Sequence, residues 1–261
     1  MATDKALETV RRVESQNCSL SPQELRLWSL KFSMGVRLDQ PAEYAIVTGC
    51  RSPHVFTHLW SFVKLLRHYD VDYTFLSEER CCGNSYLNML DPKEDANEIE
   101  AFEERARYFQ GQNVARIREL GAKKIVTACA GCNTRYNQFQ GGGDFEVLHY
   151  TQFLLPRVRG LRLDARVDFY EGCHKMHRTK GFKIDTLASR ALLAGIEGLV
   201  VNDIPNFCCR IASDRIFGAV QSGTLITPTG CCKSELFTHN PSDSIKVEML
   251  SEILCQAAGI A

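Results

Sequence analysis

The sequence predicts an α/β protein made of two similar half-domains, each on a mostly parallel sheet, plus N-terminal helices. Three observations predict it. Short apolar runs alternate with helical patterns from Glu43 onward. Ten of the twelve cysteines fall in two sets that repeat in the same order. An offset of 100 residues also carries Val126-Thr127 onto Ile226-Thr227, Cys132 onto Cys232, Val147 onto Val247 and Leu154 onto Leu254 without a gap.

Residues 1–42 read as a helical extension. Met1 to Val13 is one helical stretch. Ser21-Pro22-Gln23-Glu24 reads as a capping box with proline at the first helical position, and Leu25, Trp28 and Phe32 follow at helical spacing. The expected role is a cap packed on the core, with a docking arm for a partner subunit as the alternative. Cys18, between the two helices, reads as a free thiol.

Residues 43–160 form the first half. Tyr44 to Val47 is a short apolar strand ending at Gly49-Cys50, and Val55, Leu59, Phe62, Val63 and Leu66 mark one face of the next helix. Val71 to Leu76 is a second strand, followed by Cys81-Cys82-Gly83. Asp91 to Leu120 is a long, charged helical region. Lys124 to Thr127 is a third strand running into Cys129-Ala130-Gly131-Cys132, and Phe145 to Leu148 is a candidate fourth. Between them, Gly141-Gly142-Gly143 reads as a flexible turn.

Residues 161–261 replay the pattern. Val167 to Tyr170 is a strand ending at Gly172-Cys173, Gly181 to Ala194 is helical, and Gly198 to Val201 is a strand before Cys208-Cys209. Leu225 to Thr227 leads into Cys231-Cys232, and Ile245 to Ala258 reads as a final helix. The step from Cys50 to Cys173 is 123 residues, that from Cys82 to Cys209 is 127 and that from Cys132 to Cys232 is 100, so the first half carries 27 more residues between its Cys-Cys pair and its last cysteine. The charged stretch Asp91 to Gln112 is the natural place for them. Both halves are expected to be Rossmann-like and related by a pseudo-twofold axis.

Composition narrows the function classes. The formal net charge is zero, which removes long-range attraction to nucleic acid as an argument. The most apolar run, Ala191 to Val201, contains Glu197 and is too short to span a bilayer. The start of the chain lacks the apolar core of a signal peptide, so the expected location is cytoplasmic. In a reducing compartment, clustered cysteines bind metal or do redox chemistry, because structural disulfides do not persist there.

The placement of the cysteines gives this a mechanism. Ligands of an open parallel sheet bind beyond the carboxyl ends of its strands. Cys50, Cys129 and Cys173 each lie just past a predicted strand, and neighbouring strands are about 4.8 Å apart. Loops from adjacent strand ends can therefore bring the five sulfurs of a set together: Cys50, Cys81, Cys82, Cys129 and Cys132 in the first, and Cys173, Cys208, Cys209, Cys231 and Cys232 in the second. Soft thiolates select zinc, copper(I) or iron–sulfur clusters. Five sulfurs exceed the four that a zinc ion or a cubane cluster needs.

The pattern of one cysteine, then Cys-Cys-Gly, then Cys-x-x-Cys, occurring twice, resembles the Cys-Cys-Gly domain. It is similar to the catalytic B subunit of heterodisulfide reductases. The resemblance runs from about residue 43 to the end of the sequence. It implies a noncubane [4Fe-4S] cluster on the five cysteines of each half and a disulfide or thiol substrate whose S–S bond is cleaved or formed between the clusters. It also implies electrons supplied through an iron–sulfur subunit, in a complex with a flavin-containing subunit. The first set matches the motif throughout. The second departs from it: Arg210 stands in place of the glycine, Thr229 in place of the first cysteine of Cys-x-x-Cys, and Cys231 where a glycine would be. Its centre is therefore left open as noncubane, cubane or zinc.

His54 and His174, shortly after Cys50 and Cys173, are candidates to protonate a departing thiolate. Arg51, Lys175, Arg178 and Arg210 lie near the motifs and could meet an anionic substrate or offset cluster charge. His174 and His177 have a weak metal spacing, and Cys255 reads as core on the last helix. Two other function classes compete: an electron-relay or assembly subunit with a degenerate half, and a zinc-stabilised binding protein.

Overall fold

The computed structural model describes residues 2–20, 23–91, 93, 95–139, 145–172 and 187–260. In chain order the first half runs α1 (Ala2–Gln16), α2 (Gln23–Trp28), β1 (Tyr44–Val47), α3 (Phe56–His68), β2 (Tyr73–Phe75), α4 (Asn84–Leu87), α5 (Ala96–Glu119), β3 (Lys124–Thr127), α6 (Ala130–Gln138), β4 (Glu146–His149) and α7 (Tyr150–Leu154). The second half follows with β5 (Arg162–Phe169), α8 (Leu187–Ala194), β6 (Glu197–Asp203), α9 (Ser213–Phe217), β7 (Thr224–Thr227), α10 (Gly230–Thr238), β8 (Lys246–Met249) and α11 (Leu250–Ala257). No helix among the described residues is long and apolar enough to cross a membrane.

The fold is α/β, with two four-stranded sheets ordered β2-β1-β3-β4 and β6-β5-β7-β8. Strand β1 pairs in parallel with β2 and β3, and β5 pairs in parallel with β6 and β7. All four residues of β1 are buried, the continuous apolar pattern of a strand covered on both faces. In each sheet the chain leaves the inner strand for one side and later returns to the other. That reversal creates a crevice at the carboxyl ends, between β1 and β3 in one sheet and between β5 and β7 in the other.

Contacts group the chain into two units, Met1–Pro53 with Asp72–Leu148, and His54–Val71 with His149–Ala261. In the first, α1 buries Ala6, Val10 and Val13 against Cys81, Tyr86, Phe102 and Phe109. Helix α5 begins at an Asp95 cap that accepts the Asn97 N–H at 2.8 Å, and its inner stripe includes Phe102, Ala106, Phe109, Val114 and Ile117. Although α3 follows β1, it belongs to the second unit. There His58 Nδ1 bonds Ser251 Oγ of α11 at 2.7 Å, and Phe62 packs on Tyr150 and Phe153.

Two expectations are corrected. Ile245 to Ala258 is not one helix: Lys246–Met249 is strand β8, paired in parallel with β7, and only α11 is helical. Val247 and Met249 are buried on that strand, so sheet pairing outweighs local helical preference. The apolar stripe that runs from α2 into the π-helical turn Ser29–Ser33 also faces outward. Leu25, Trp28 and Phe32 are 46%, 58% and 70% exposed, while Gln23 and Arg26 are buried. The inward face is fixed by Arg26, whose guanidinium donates to Leu76 O at 3.1 Å and Ser77 O at 2.9 Å. Ser21, Pro22, Gly141 to Gly143 and the segment 173–186 lie outside the described residues.

Candidate metal centre

The first crevice is built around the turn that leaves β1. Gly49 has φ +80°, and a Cβ there would stand 3.0 Å from Cys129 Cβ and 3.2 Å from Cys132 Sγ. Glycine thus allows the backbone leading to Cys50 to press on the loop leaving β3. Glu79 clamps this turn. Its carboxylate accepts the Thr48 N–H at 2.8 Å, the Thr48 hydroxyl at 2.9 Å and the Gly49 N–H at 2.7 Å. Glu79 is buried, and the buried Arg26 guanidinium lies 3.6 Å away to balance its charge.

Six thiols line up on this framework. Cys18 is within hydrogen-bond reach of Cys50, Cys50 of Cys81, and Cys81 of Cys82. Cys132 donates to Cys82 at 3.3 Å and is in turn within reach of Cys129. The order 18–50–81–82–132–129 is one unbroken row, and four of its members, Cys18, Cys81, Cys82 and Cys132, are buried. Hydrogen bonds from Cys50, then from Cys82, Ser19 and the Gly83 N–H, hold Cys81 well below the ordinary thiol value against its burial. Cys50 and Cys132 are pushed up, by their thiol neighbours first and by burial second.

Side chains with no part in the sequence motif fix the cysteine pair. Asn113 takes the Arg80 backbone from both sides, accepting its N–H at 2.9 Å and donating to its carbonyl at 2.8 Å. Gln110 Nε2 donates to Cys82 O at 2.8 Å. Gly83 has φ +86° and starts α4, and a Cβ on it would lie 2.5 Å from Ala106 Cβ and 2.9 Å from the Tyr86 hydroxyl. That hydroxyl is buried with no hydrogen-bond partner. Burial, reinforced by charge at Cys81 and Cys82, pushes the phenol far up, so it remains a protonated donor.

The second crevice repeats the plan with fewer described thiols. Gly172 has φ +60°, and a Cβ there would stand 2.6 Å from Cys232 Sγ. Asn206 clamps it, accepting the Gly172 N–H at 2.7 Å and donating to its carbonyl at 3.3 Å. A hydrogen bond from Cys232 draws Cys209 below the usual thiol value, and Cys231 lies close enough to oppose this. Tyr170 reaches Cys209 and donates to Phe207 O. Cys208 is half-buried in the turn before α9. Cys173 and His174 lie outside the described residues, as do Lys175, His177 and Arg178.

The helices behind the two crevices differ in the residue that caps them. Cys129 caps α6, and Thr229 caps α10 at the matching place. Cys132 and Cys232 then sit in the first helical turn. The Thr229 side chain is fully buried and its hydroxyl has no partner. Arg210 does not have the positive φ of Gly83; it is exposed and lies 3.5 Å from Glu235. The chain after Cys209 therefore takes a different turn, which removes the need for glycine.

His54 is exposed in the short helical turn Ser52–Val55, four residues after Cys50. Cys255 is buried and donates to Ser61 O at 3.2 Å, as a core thiol should. Among the described residues no three His, Cys, Asp or Glu side chains surround a common point as a cage for one metal ion. The first crevice nonetheless fits a thiolate-bound metal cluster: its donors are all soft sulfur, contiguous, mostly buried, and pressed by a glycine that leaves room for nothing larger.

Comparison with known proteins agrees with this chemistry. Residues 44–136 match the family model described as "CCG: Cysteine-rich domain". Over that segment the chain is similar to the CCG cysteine-rich domain. It is 23% identical over 259 residues to the D subunit of the dihydromethanophenazine:CoB–CoM heterodisulfide reductase of Methanosarcina acetivorans, covering 87% of this chain and 61% of that protein. The corresponding D subunit of Methanosarcina mazei is 24% identical, with 86% and 61% covered. An uncharacterized iron-sulfur protein of Methanococcus maripaludis is 23% identical, with 84% and 42% covered. The chain thus spans about three-fifths of the length of these two reductase relatives. Among solved structures, an aspartate racemase homologue from Pyrococcus horikoshii is 14% identical with a TM-score of 0.36, covering 84% of this chain and 98% of that one. At that level it bears on neither site.

Proposed function

We propose that this chain is an iron–sulfur redox subunit of a heterodisulfide reductase-like complex, cleaving or forming the sulfur–sulfur bond of a thiol substrate. The row of contiguous thiols at the first sheet crevice carries this reading. Cys50, Cys81, Cys82, Cys129 and Cys132 would hold one cluster, a noncubane [4Fe-4S] centre. Cys173, Cys208, Cys209, Cys231 and Cys232 would hold the second. The names of the two reductase relatives and of the iron-sulfur relative support the same class.

Bound there, an iron–sulfur cluster supplies electrons and metal sites with affinity for sulfur. The chain's own groups set the conditions. Burial of the row excludes water, and the first turn of α6 delivers Cys132 to it. The Glu79 clamp fixes the direction of Cys50, and protonated Tyr86 offers a hydrogen bond beside Cys81 and Cys82. Reducing a disulfide to two thiols takes two electrons and two protons. The electrons would enter from an iron–sulfur subunit, with a flavin-containing subunit in the same complex. His54 and His174 are proposed to deliver the protons.

The test is anaerobic purification of the full chain followed by iron, sulfide and zinc analysis, with turnover of a disulfide in the presence of a low-potential donor. Serine at Cys81 or Cys82 should strip or convert the first cluster and abolish turnover. Zinc without iron, or unchanged spectra in both serine variants, would defeat the reading. One observation favours a second reading, an electron-relay subunit: Thr229 replaces a sulfur of the second set. Full iron in both halves with no turnover of any disulfide would select it.

A further inference from the structure

Cys18 stands outside both sequence sets, yet it closes one end of the sulfur row. Its side chain is buried and within hydrogen-bond reach of Cys50. The segment around it is tied to the cysteine loops by backbone. Asn17 O accepts the Cys81 N–H at 2.7 Å, and the Ser19 N–H points at Cys50 Sγ at 3.5 Å. Asn17 has φ +60°, the left-handed conformation that asparagine tolerates and that ends α1 here. Ser19 Oγ is buried with no oxygen or nitrogen partner and lies against Cys81. The Cys18 thiol donates to Gln23 Oε1 at 3.9 Å, while the residues on either side of it bond to two other cysteines, so the segment is built onto the sulfur row.

We propose that Cys18 is a sixth sulfur ligand of the first metal centre, supplied by the N-terminal segment. The inference rests on the iron–sulfur reading above and extends it: the N-terminal helices complete the site. Metal binding by Cys18 releases the thiol proton to solvent and leaves the sulfur's oxidation state unchanged. The nearby Ser19 hydroxyl and N–H are the groups that would donate to sulfur once the row carries negative charge.

The test uses the full chain, purified anaerobically as wild type, Cys18→Ala, Cys18→Ser, Cys81→Ser and Val13→Ala. Val13 is a fully buried neighbour on α1 without sulfur, so its truncation reports packing alone. Iron content and the visible and paramagnetic-resonance spectra are read for each, together with urea midpoints of the metal-free proteins. The expected result is an altered spectrum in both Cys18 variants and an unaltered one in Val13→Ala. Wild-type spectra in both Cys18 variants, with Cys81→Ser altered, would overturn the assignment of Cys18 and leave the iron–sulfur reading intact. An equal change in Val13→Ala would assign the effect to packing and also overturn it. Iron-free wild-type protein would instead overturn the parent reading, and Cys18 with it.

Discussion

Asn206 accepts the Gly172 amide at 2.7 Å, the same length at which Glu79 accepts the Gly49 amide. Both clamps stand two residues before a Cys-Cys pair, and both hold the glycine that ends an inner strand. The first unit uses a buried carboxylate balanced by Arg26, and the second a neutral amide that needs no counter-charge. The same geometric problem, delivering a cysteine from a strand end, is solved twice with different electrostatics.

Glu79→Ala should cost about 3–5 kcal/mol, because it leaves Arg26 a buried cation without its carboxylate and orphans two N–H groups. Glu79→Gln keeps an acceptor and should lose less. Asn206→Ala breaks a neutral clamp and should cost about 1–3 kcal/mol. Urea unfolding of the metal-free proteins checks the ranking. A Glu79→Ala loss no larger than that of Asn206→Ala would mean that Arg26 finds compensation elsewhere.

Gly49→Ala combines backbone strain with crowding of Cys129 and Cys132. Gly121 supplies the control, since it has φ +73° and nothing within 4 Å of a new Cβ. Strain alone should cost about 1–2 kcal/mol at Gly121. The cost at Gly49 should be larger, with a loss of bound metal that Gly121→Ala does not show. Equal costs and equal metal content would remove the crowding argument.

Thr229→Val should leave stability within about 1 kcal/mol of wild type or raise it, because the hydroxyl removed is buried and unpartnered. Thr229→Cys places a thiol at the position that matches Cys129. After anaerobic reconstitution it should gain metal or shift the visible spectrum. A drop of several kcal/mol in Thr229→Val would show that the hydroxyl has a partner in solution.

Burial raises the Asp168 carboxyl, but bonds from the Ser222 hydroxyl and N–H, the Gln221 N–H and Asn202 outweigh it and hold the group below its ordinary value. The unfolded chain therefore binds the proton more readily than the folded one. The stabilisation is full above the unfolded value and is lost as pH falls through the lower, folded one. Asp168→Asn should destabilise the protein by about 1–3 kcal/mol at neutral pH and flatten the acid limb of stability against pH. Identical acid limbs would rule Asp168 out as a contributor.

The alternation of apolar runs with helical stripes was enough to locate β1, β2, β3, β6 and β7 within two residues at each end, whereas β5 begins at Arg162, well before the expected Val167. The 100-residue offset was also enough to find β8: it maps Val147, in β4, onto Val247. Helical periodicity from Ile245 onward hid it, because a four-residue strand leaves too short a pattern to compete. The outward stripe of α2 was not legible, since hydrophobic spacing cannot report that Arg26 will find Glu79 and two carbonyls inside. Cys18 carried no signal, being a lone thiol in a helical extension.

By itself the sequence determined the α/β class, the two cysteine sets and the CCG motif, because these depend on local periodicity and on residues close in the chain. Tertiary structure alone decided the order of the sulfur row, the clamps at Glu79 and Asn206, and the place of Cys18. Such contacts join residues tens of positions apart, and only the sheet crossovers bring those positions within bonding distance.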